Sequence, residues 1–295
     1  MRTRNQPAFS RKRYRLRLPA RTLALGQHTL LMGVLNVTPD SFSDGGRYLD
    51  PAAAIARGLE LESTGADILD IGGESTRPGA EPLPAEEEWR RVGPVLEGLR
   101  GRLAVPISID TYKATIAERA LDLGAVIVND ISALAYDPAL ASVVARRRAA
   151  VVLMHNRGRS SQMYAEAAYA NVADDIAREL GARVAAAEAA GIARDLILLD
   201  PGIGFAKHAE HSQAALASLP RLAALGFPLV CGPSRKSFLT AGLGDAAPGE
   251  RIWGTAAAVA ASVLLGAHIV RVHDVREMMQ VARVADTIAA RVNGP

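Results

Sequence analysis

The sequence predicts an α/β fold: a (β/α)8 barrel of the TIM type with an N-terminal hairpin extension. Three observations predict it. Short apolar runs of strand length recur eight times along 295 residues. Segments with charges at helical spacing separate them, and such alternation requires right-handed crossovers and a parallel sheet. Nearly every apolar run ends in a polar side chain, as strands do when their C-terminal ends surround one mouth. An open doubly wound sheet is the competing arrangement, but eight units are the number that closes a barrel.

The elements follow in order. Residues 1–21 hold eight Lys or Arg and no acid, leaving 26 basic and 31 acidic residues, net −5, in the remainder. This arm, taken as 1–22, reads as a partly disordered extension leading into a hairpin over the barrel base, because RYRLRL and RTLAL have the composition of short strands. The competing readings are a nucleic-acid or membrane tether or a transit peptide. The barrel proper is assigned to 23–295. Its strands are expected over 30–36, 68–73, 106–110, 126–130, 150–155, 196–200, 228–233 and 269–274. Helical patterns lie between them, among others over 51–64, 85–99, 113–123, 171–190 and 254–265. Gly65, Gly124, Gly191 and Gly266 stand where left-handed helix C-caps are expected.

Composition agrees with this reading. Apolar residues make up 49% of the chain and aromatics only 4%, so Ala, Val, Leu and Ile must fill the core, as buried parallel strands require. No apolar run approaches the roughly 18 residues of a membrane span. The single cysteine, Cys231, excludes an internal disulfide and fits a reducing, cytoplasmic setting.

The polar residues at the run ends are Asn36, Glu74, Asp110, Asn129, Asp130, His155, Asp200, Ser234 to Lys236, and Arg271 to Asp274. One of them alone is a helix cap. A set on nearly every strand is a rimmed mouth carrying both signs of charge. Lys236 follows Gly232-Pro-Ser-Arg235, and Arg271 and His273 alternate on the last strand, so they share a face. The loops after strands seven and eight are the usual phosphate site of such barrels. Asp110 and Asp200 suit a substrate edge rich in N–H donors, since a carboxylate accepts two such groups side by side. A metal cage is the alternative, but no His and carboxylate cluster has the spacing for one. An anionic ligand with an amidine-like ring is as far as spacing leads.

Seven motifs, taken together, carry a resemblance. They are NVTPDSFSDGG from Asn36, GESTRPG from Gly73, ISIDT from Ile107, VND from Val128, DPG from Asp200, SRK from Ser234 and RVHD from Arg271. In this order the chain resembles the dihydropteroate synthases from about residue 30 to 290. The first two motifs are the specific ones. The resemblance implies a transferase of folate biosynthesis, the target of sulfonamides. Such an enzyme joins 6-hydroxymethyl-7,8-dihydropterin diphosphate to 4-aminobenzoate with Mg2+, releasing 7,8-dihydropteroate and diphosphate. It further implies a cytoplasmic homodimer with no nucleic-acid or membrane partner.

The implied roles are as follows. Asp110, Asn129, Asp200 and Lys236 line the pterin slot, with Asp200 on the 2-amino and ring N–H groups. Arg271 and His273 hold the diphosphate, and Asn36 binds Mg2+ with it. Thr76, Arg77 and Pro78 belong to the second long loop. Phe205, Lys236 and Ser237 form the aminobenzoate pocket. Asp40 or Asp44 meets a cation formed as diphosphate leaves, on a loop that also carries Phe42 and a Gly45-Gly46 hinge. Catalysis is assigned to Asp40, Asp44, Lys236 and Arg271. No general base is required, because the weakly basic arylamine attacks while neutral.

One motif departs from the family pattern: Ala206-Lys207-His208 stands where Gly-Lys-Thr is commoner. Cys231 is expected to be a buried thiol. His28, His208, His211 and His268 are expected at the surface or in the core rather than on a ligand, and Trp253 is expected in packing. His155 stands between a pocket contact and a core role. Two rival functions are a pterin-binding corrinoid methyltransferase, which lacks the diphosphate grip, and an inactive pterin-binding paralogue.

Overall fold

The computed structural model describes residues 11–38, 50–76, 79–159, 164, 167–244 and 246–292. Strands β1 (Tyr14–Leu18) and β2 (Arg21–Leu25) pair antiparallel as a hairpin. Eight parallel strands follow: β3 (Leu30–Asn36), β4 (Ile68–Gly72), β5 (Ile107–Asp110), β6 (Ala125–Asp130), β7 (Ala150–Met154), β8 (Ile197–Asp200), β9 (Val230–Cys231) and β10 (Ile269–Val272). Their order is β8-β7-β6-β5-β4-β3-β10-β9, and a parallel bridge between Leu199 and Leu229 joins the two ends. The ring is therefore closed, as expected, and the doubly wound alternative falls.

Helices fill the crossovers: α1 (Pro51–Ser63), α2 (Ala85–Leu99), α3 (Ala114–Asp122), α4 (Leu140–Arg147), α5 (Val172–Ala189), α6 (Ala209–Ala217), α7 (Leu219–Ala223), α8 (Thr240–Leu243), α9 (Ile252–Leu264) and α10 (Val275–Val292). Local chemistry starts them. Asp50 accepts from Ala52 N at 2.9 Å ahead of Pro51, and Asn171 accepts from Asp174 N at 3.1 Å. The four glycines expected as C-caps all have positive φ.

Strand alternation divides the core in two. Leu31, Leu35, Leu69, Ile71, Val151, Leu153, Leu199 and Val270 pack outward with the helices. Met32, Ile68, Ile127, Val152, Leu198, Val230 and Ile269 form an inner cluster with Leu16, Leu18 and Leu25 of the hairpin. The hairpin is thus the floor of the barrel, and an arm ending at residue 22 would cut β2 in two. The seventh strand is shorter than expected, since Val230–Cys231 alone joins the ladder. Pro228 and Pro233 at the ends of the expected run have no N–H to donate. Pro228 still accepts from Leu199 N at 3.0 Å.

His268 fastens floor to wall. Its Nδ1 accepts from Leu229 N at 3.0 Å, so the proton is on Nε2, which donates to Lys12 O at 2.9 Å. Burial pushes its pKa down to about 4, against the Lys12 bond that raises it. A histidine depressed in the folded state stabilises fully above its unfolded pKa of about 6.5 and loses that stabilisation as pH falls toward 4. His268→Ala should therefore cost about 2–4 kcal/mol at pH 7. At pH 4.5 most of that difference from the parent should be gone. Denaturant unfolding of both chains at the two pH values measures it, and a deficit independent of pH would refute the tautomer assignment.

Candidate active site

The inward positions change character toward the C-terminal ends of the strands. On β4 the series is Ile68, Asp70, Gly72. On β5 it is Ser108, Asp110, on β6 Ile127, Asn129, on β8 Leu198, Asp200, and on β10 Ile269, Arg271. The period of two sends apolar residues to the floor and charged ones to the mouth within one set of positions.

Arg271 organises this upper layer. Its Nε donates to Asp70 Oδ2 at 2.6 Å and its Nη2 to Asp110 Oδ2 at 2.7 Å. Asn129 Nδ2 donates to the same Asp70 oxygen at 3.0 Å. The other Asp70 oxygen and Ser108 Oγ are buried without a hydrogen-bond partner among the described residues, side by side in the β4–β5 register. A buried carboxylate oxygen left unpaired costs free energy unless something else meets it.

The electrostatics follow from burial of close opposite charges. Burial pushes Asp110 up to about 7, with Arg271 pulling the other way. Burial works against the Arg271 cation, but Asp70 and Asp110 outweigh it and hold its pKa above the ordinary arginine value. Burial raises Asp200 while Lys236 lowers it, and burial pushes Lys236 down to about 8 against the pull of Asp200. Asp200 Oδ1 accepts from Gly202 N at 2.7 Å, and Oδ2 takes no bond from a described residue. Lys236 donates to Ile203 O and lies 4.2 Å from the centre of the Phe205 ring, a cation–π contact.

His273 stands at the edge of the mouth. Ser234 Oγ accepts from His273 N at 3.3 Å and lies 2.9 Å from His273 Nδ1. This pair of contacts fixes the ring's orientation at the rim. Burial, with Arg271 adding to it, lowers His273 to about 3, so the ring is neutral at physiological pH.

The structure thus brings Asp110, Asn129, Asp200, Lys236 and Arg271 together, with Phe205 against Lys236. Asn36 ends β3 half-buried, opposite Gly72 in register. Thr76 is half-buried, and Ser237 is exposed in a turn after Lys236. Asp40, Phe42, Asp44, Gly45, Gly46, Arg77 and Pro78 lie outside the described residues.

Four expected rim residues turn elsewhere. Glu74 accepts from Tyr112 Oη at 2.8 Å and pairs with Lys113, which also pairs with Glu88. Asp130 caps its own turn, accepting from Ser132 N and Oγ, each at 2.7 Å. Asp274 takes Arg235 Nε at 3.0 Å. His155 is buried between Glu179 and Lys207. Trp253, expected in packing, is 80% exposed on α9. Cys231 is buried, His28 and His208 are exposed, and His268 is buried at the floor.

Asp70 was not singled out by sequence. It sits inside the run ILDIGG and looks like an interruption of an apolar strand. The signal was its alternation with Gly72, the face that β5 and β10 also show to the mouth. Among the described residues no group of three His, Cys, Asp or Glu is placed to hold a metal. Asn36 offers one amide oxygen at the rim. That suits Mg2+, which keeps waters and takes oxygens from substrate phosphates, and would not suit a metal needing a full protein cage.

Comparison with known proteins gives a consistent answer. The family model for pterin binding enzymes matches residues 32–273. The dihydropteroate synthase of Synechocystis sp. is 46% identical over 263 residues, 89% of this chain and 91% of the relative. The crystal structure of Xanthomonas albilineans dihydropteroate synthase with 4-aminobenzoic acid superposes with a TM-score of 0.88 at 43% identity, covering 95% of this chain and 99% of that one. A structure of the X. albilineans enzyme with 7,8-dihydropteroate gives a TM-score of 0.84 at 41% identity, covering 94% and 99%.

Proposed function

The chain belongs to the pterin-binding enzymes and, among them, to the dihydropteroate synthases, and from that premise we propose how its residues divide the work. Its activity is that of a transferase in folate biosynthesis. It joins 6-hydroxymethyl-7,8-dihydropterin diphosphate to 4-aminobenzoate, giving 7,8-dihydropteroate and diphosphate. The observation that carries the assignment of roles is the inward layer in which Asp70, Asp110 and Asp200 alternate with Arg271 and Lys236.

Asp200 accepts the 2-amino and ring N–H groups of the pterin, with Asn129 and Asp110 beside it. Lys236 stands next to Asp200, where its charge balances the carboxylate. Arg271 and His273 face the leaving diphosphate. As the carbon–oxygen bond breaks, negative charge grows on the bridging oxygen, and fixed donors in a dry site stabilise it without reorganising. Asn36 would hold Mg2+, which would supply positive charge to the leaving diphosphate. Phe205, with Ser237 and Lys236, places the arylamine, whose neutral nitrogen attacks the methylene carbon and loses its proton to water. The role of meeting the cation falls to Asp40 and Asp44, and that of contributing to substrate binding to Thr76, Arg77 and Pro78, all but Thr76 outside the described residues.

The working form is a cytoplasmic homodimer. The exposed apolar residues Trp253, Leu264, Val284 and Ile288 on α9 and α10 support a self-interface there. No helix among the described residues is long and apolar enough to cross a membrane.

One assay tests the reading. The purified protein, given both substrates and Mg2+, should release diphosphate and 7,8-dihydropteroate in equal amounts. Chelation should stop turnover and added Mg2+ restore it. Pterin binding without turnover would identify an inactive paralogue, and methyl transfer to a corrinoid would identify the methyltransferase instead.

A further inference from the structure

The segment that carries Phe205 is held from beneath by three side chains, each on its own carbonyl. Lys236 donates to Ile203 O, Lys207 Nζ to Phe205 O at 3.0 Å, and Tyr169 Oη to Ala206 O at 2.9 Å. Gly202, Gly204 and Ala206 have φ of 68°, 76° and 47°. A backbone with three left-handed residues in five has no ladder of its own, so its carbonyls depend on outside donors. Gly202 packs so tightly on the next strand end that a Cβ there would lie 1.9 Å from His155 O.

Lys207 is 2% exposed. Besides Phe205 O it meets His155 Nδ1 at 2.9 Å, and His155 O more distantly at 3.4 Å. An ionised carboxylate only accepts, so the proton of the neutral His155 ring is on Nε2, toward Glu179, and Nδ1 accepts from Lys207. Nε2 donates to Glu179 Oε2 at 2.9 Å, and Arg157 Nε holds the same carboxylate oxygen at 3.2 Å. A continuous chain therefore runs from Glu179 on α5 through His155 and Lys207 to the carbonyl of Phe205. Burial pushes Lys207 down to about 7 and His155 down to about 4. The imidazole is therefore neutral, and with Nε2–H given to Glu179 its Nδ1 accepts from the Lys207 amine whether that amine is charged or not. Nothing in the roles assigned above uses this chain.

We propose that Lys207, oriented by His155 and Glu179, is a positioning residue for the arylamine: it fixes the Phe205 carbonyl and so sets the ring that stands against Lys236. Lys207 lies under the loop and touches no substrate. Its effect reaches the reaction through the wall on which the second substrate is placed, where a displacement near 1 Å costs about a hundredfold. The proposal rests on the assignment of Phe205 to the aminobenzoate pocket.

The test separates the two substrates. Lys207→Met keeps length and removes every donor. The KM for 4-aminobenzoate should rise about 10- to 100-fold. The KM for pterin diphosphate, and kcat with both substrates saturating, should stay within about 3-fold, because Asp200 and Arg271 are untouched. A purely structural role would lower kcat through the folded fraction and leave both KM values alone, and that outcome overturns the proposal. Glu179→Gln, at the outer end of the chain, guards against misfolding of the first variant. It should raise the arylamine KM about 3- to 10-fold with the same split, and an unchanged arylamine KM overturns the proposal as well. Phe205→Ala tells the two assignments apart. If it leaves the arylamine KM unaltered, the placement of 4-aminobenzoate at Phe205 has failed rather than the Lys207 chain.

Discussion

Asp200→Asn is expected to weaken pterin binding by about thirty- to a thousandfold while leaving affinity for diphosphate nearly unchanged. The carboxylate ends a rigid strand, follows four buried apolar residues, and turns away at once through Pro201 and Gly202. One oxygen is committed to Gly202 N at 2.7 Å, so the backbone itself fixes its direction. The other takes no bond from a described residue. An amide in its place keeps the shape. One acceptor becomes an NH2 donor, and the pterin edge then meets a donor with a donor. A charged hydrogen bond of about 1.5–3 kcal/mol is lost and a buried mismatch is added, for about 2–4 kcal/mol in all. Removing the charge has a second consequence. Asp200 is what sustains the Lys236 ammonium against burial, so the variant's Lys236 should titrate below about 8. Calorimetric titration with a pterin analogue, and separately with diphosphate, measures the split. Unchanged pterin affinity would take Asp200 out of the slot.

The barrel was legible because its signals are local. Apolar runs, helical spacing and glycine caps each lie within a dozen residues. The mouth was legible for the same reason, since strand ends can be found without knowing what faces what. What could not be read was orientation. Glu74 and Asp130 end strands as Asp110 and Asp200 do, yet Glu74 turns to Lys113 and Asp130 to the amides of its own turn. A strand end gives a side chain a place but leaves its partner to the neighbouring loops. Asp70 was hidden by the opposite effect. It is on the right face, one step below the rim, inside a segment whose apolar character spoke for packing. Lys207 and His155 are 52 positions apart and meet only because β7 and β8 are neighbours. The departure at Ala206 also gains a physical meaning. Its φ of 47° is one that glycine adopts freely, and alanine holds it here at a cost of about 1 kcal/mol or more, with its carbonyl tied by Tyr169.

The largest effect should come from Arg271→Met, and it should depend on pH. The guanidinium is the only cation that hydrogen-bonds Asp70 and Asp110 among the described residues, and Asp70 is fully buried. Its removal takes away the diphosphate grip, so turnover should fall by about a thousandfold or more. It also leaves two close carboxylates without their counter-charge, a situation that costs about 3–5 kcal/mol when nothing relieves it. Protonation of Asp110 is the available relief. In the parent, burial already raises Asp110 to about 7, and Arg271 is what keeps it from rising further. A carboxyl raised above its unfolded value stabilises the fold while protonated, and that contribution is lost as pH climbs through the folded pKa. In the parent the loss is complete just above pH 7. In Arg271→Met the folded pKa is higher, so the loss continues through pH 8 at about 1.4 kcal/mol per pH unit. The deficit of the variant against the parent should therefore be small at pH 5.5 and larger at pH 8. Adding Asp110→Asn should restore most of the alkaline loss and none of the turnover, because it removes the stranded charge without replacing the grip. Denaturant unfolding of the parent, the single variant and the double variant at both pH values decides it. A deficit of equal size at pH 5.5 and pH 8 would mean that Arg271 supports the barrel by packing, and that its pairing with Asp110 does not govern the charge of the mouth.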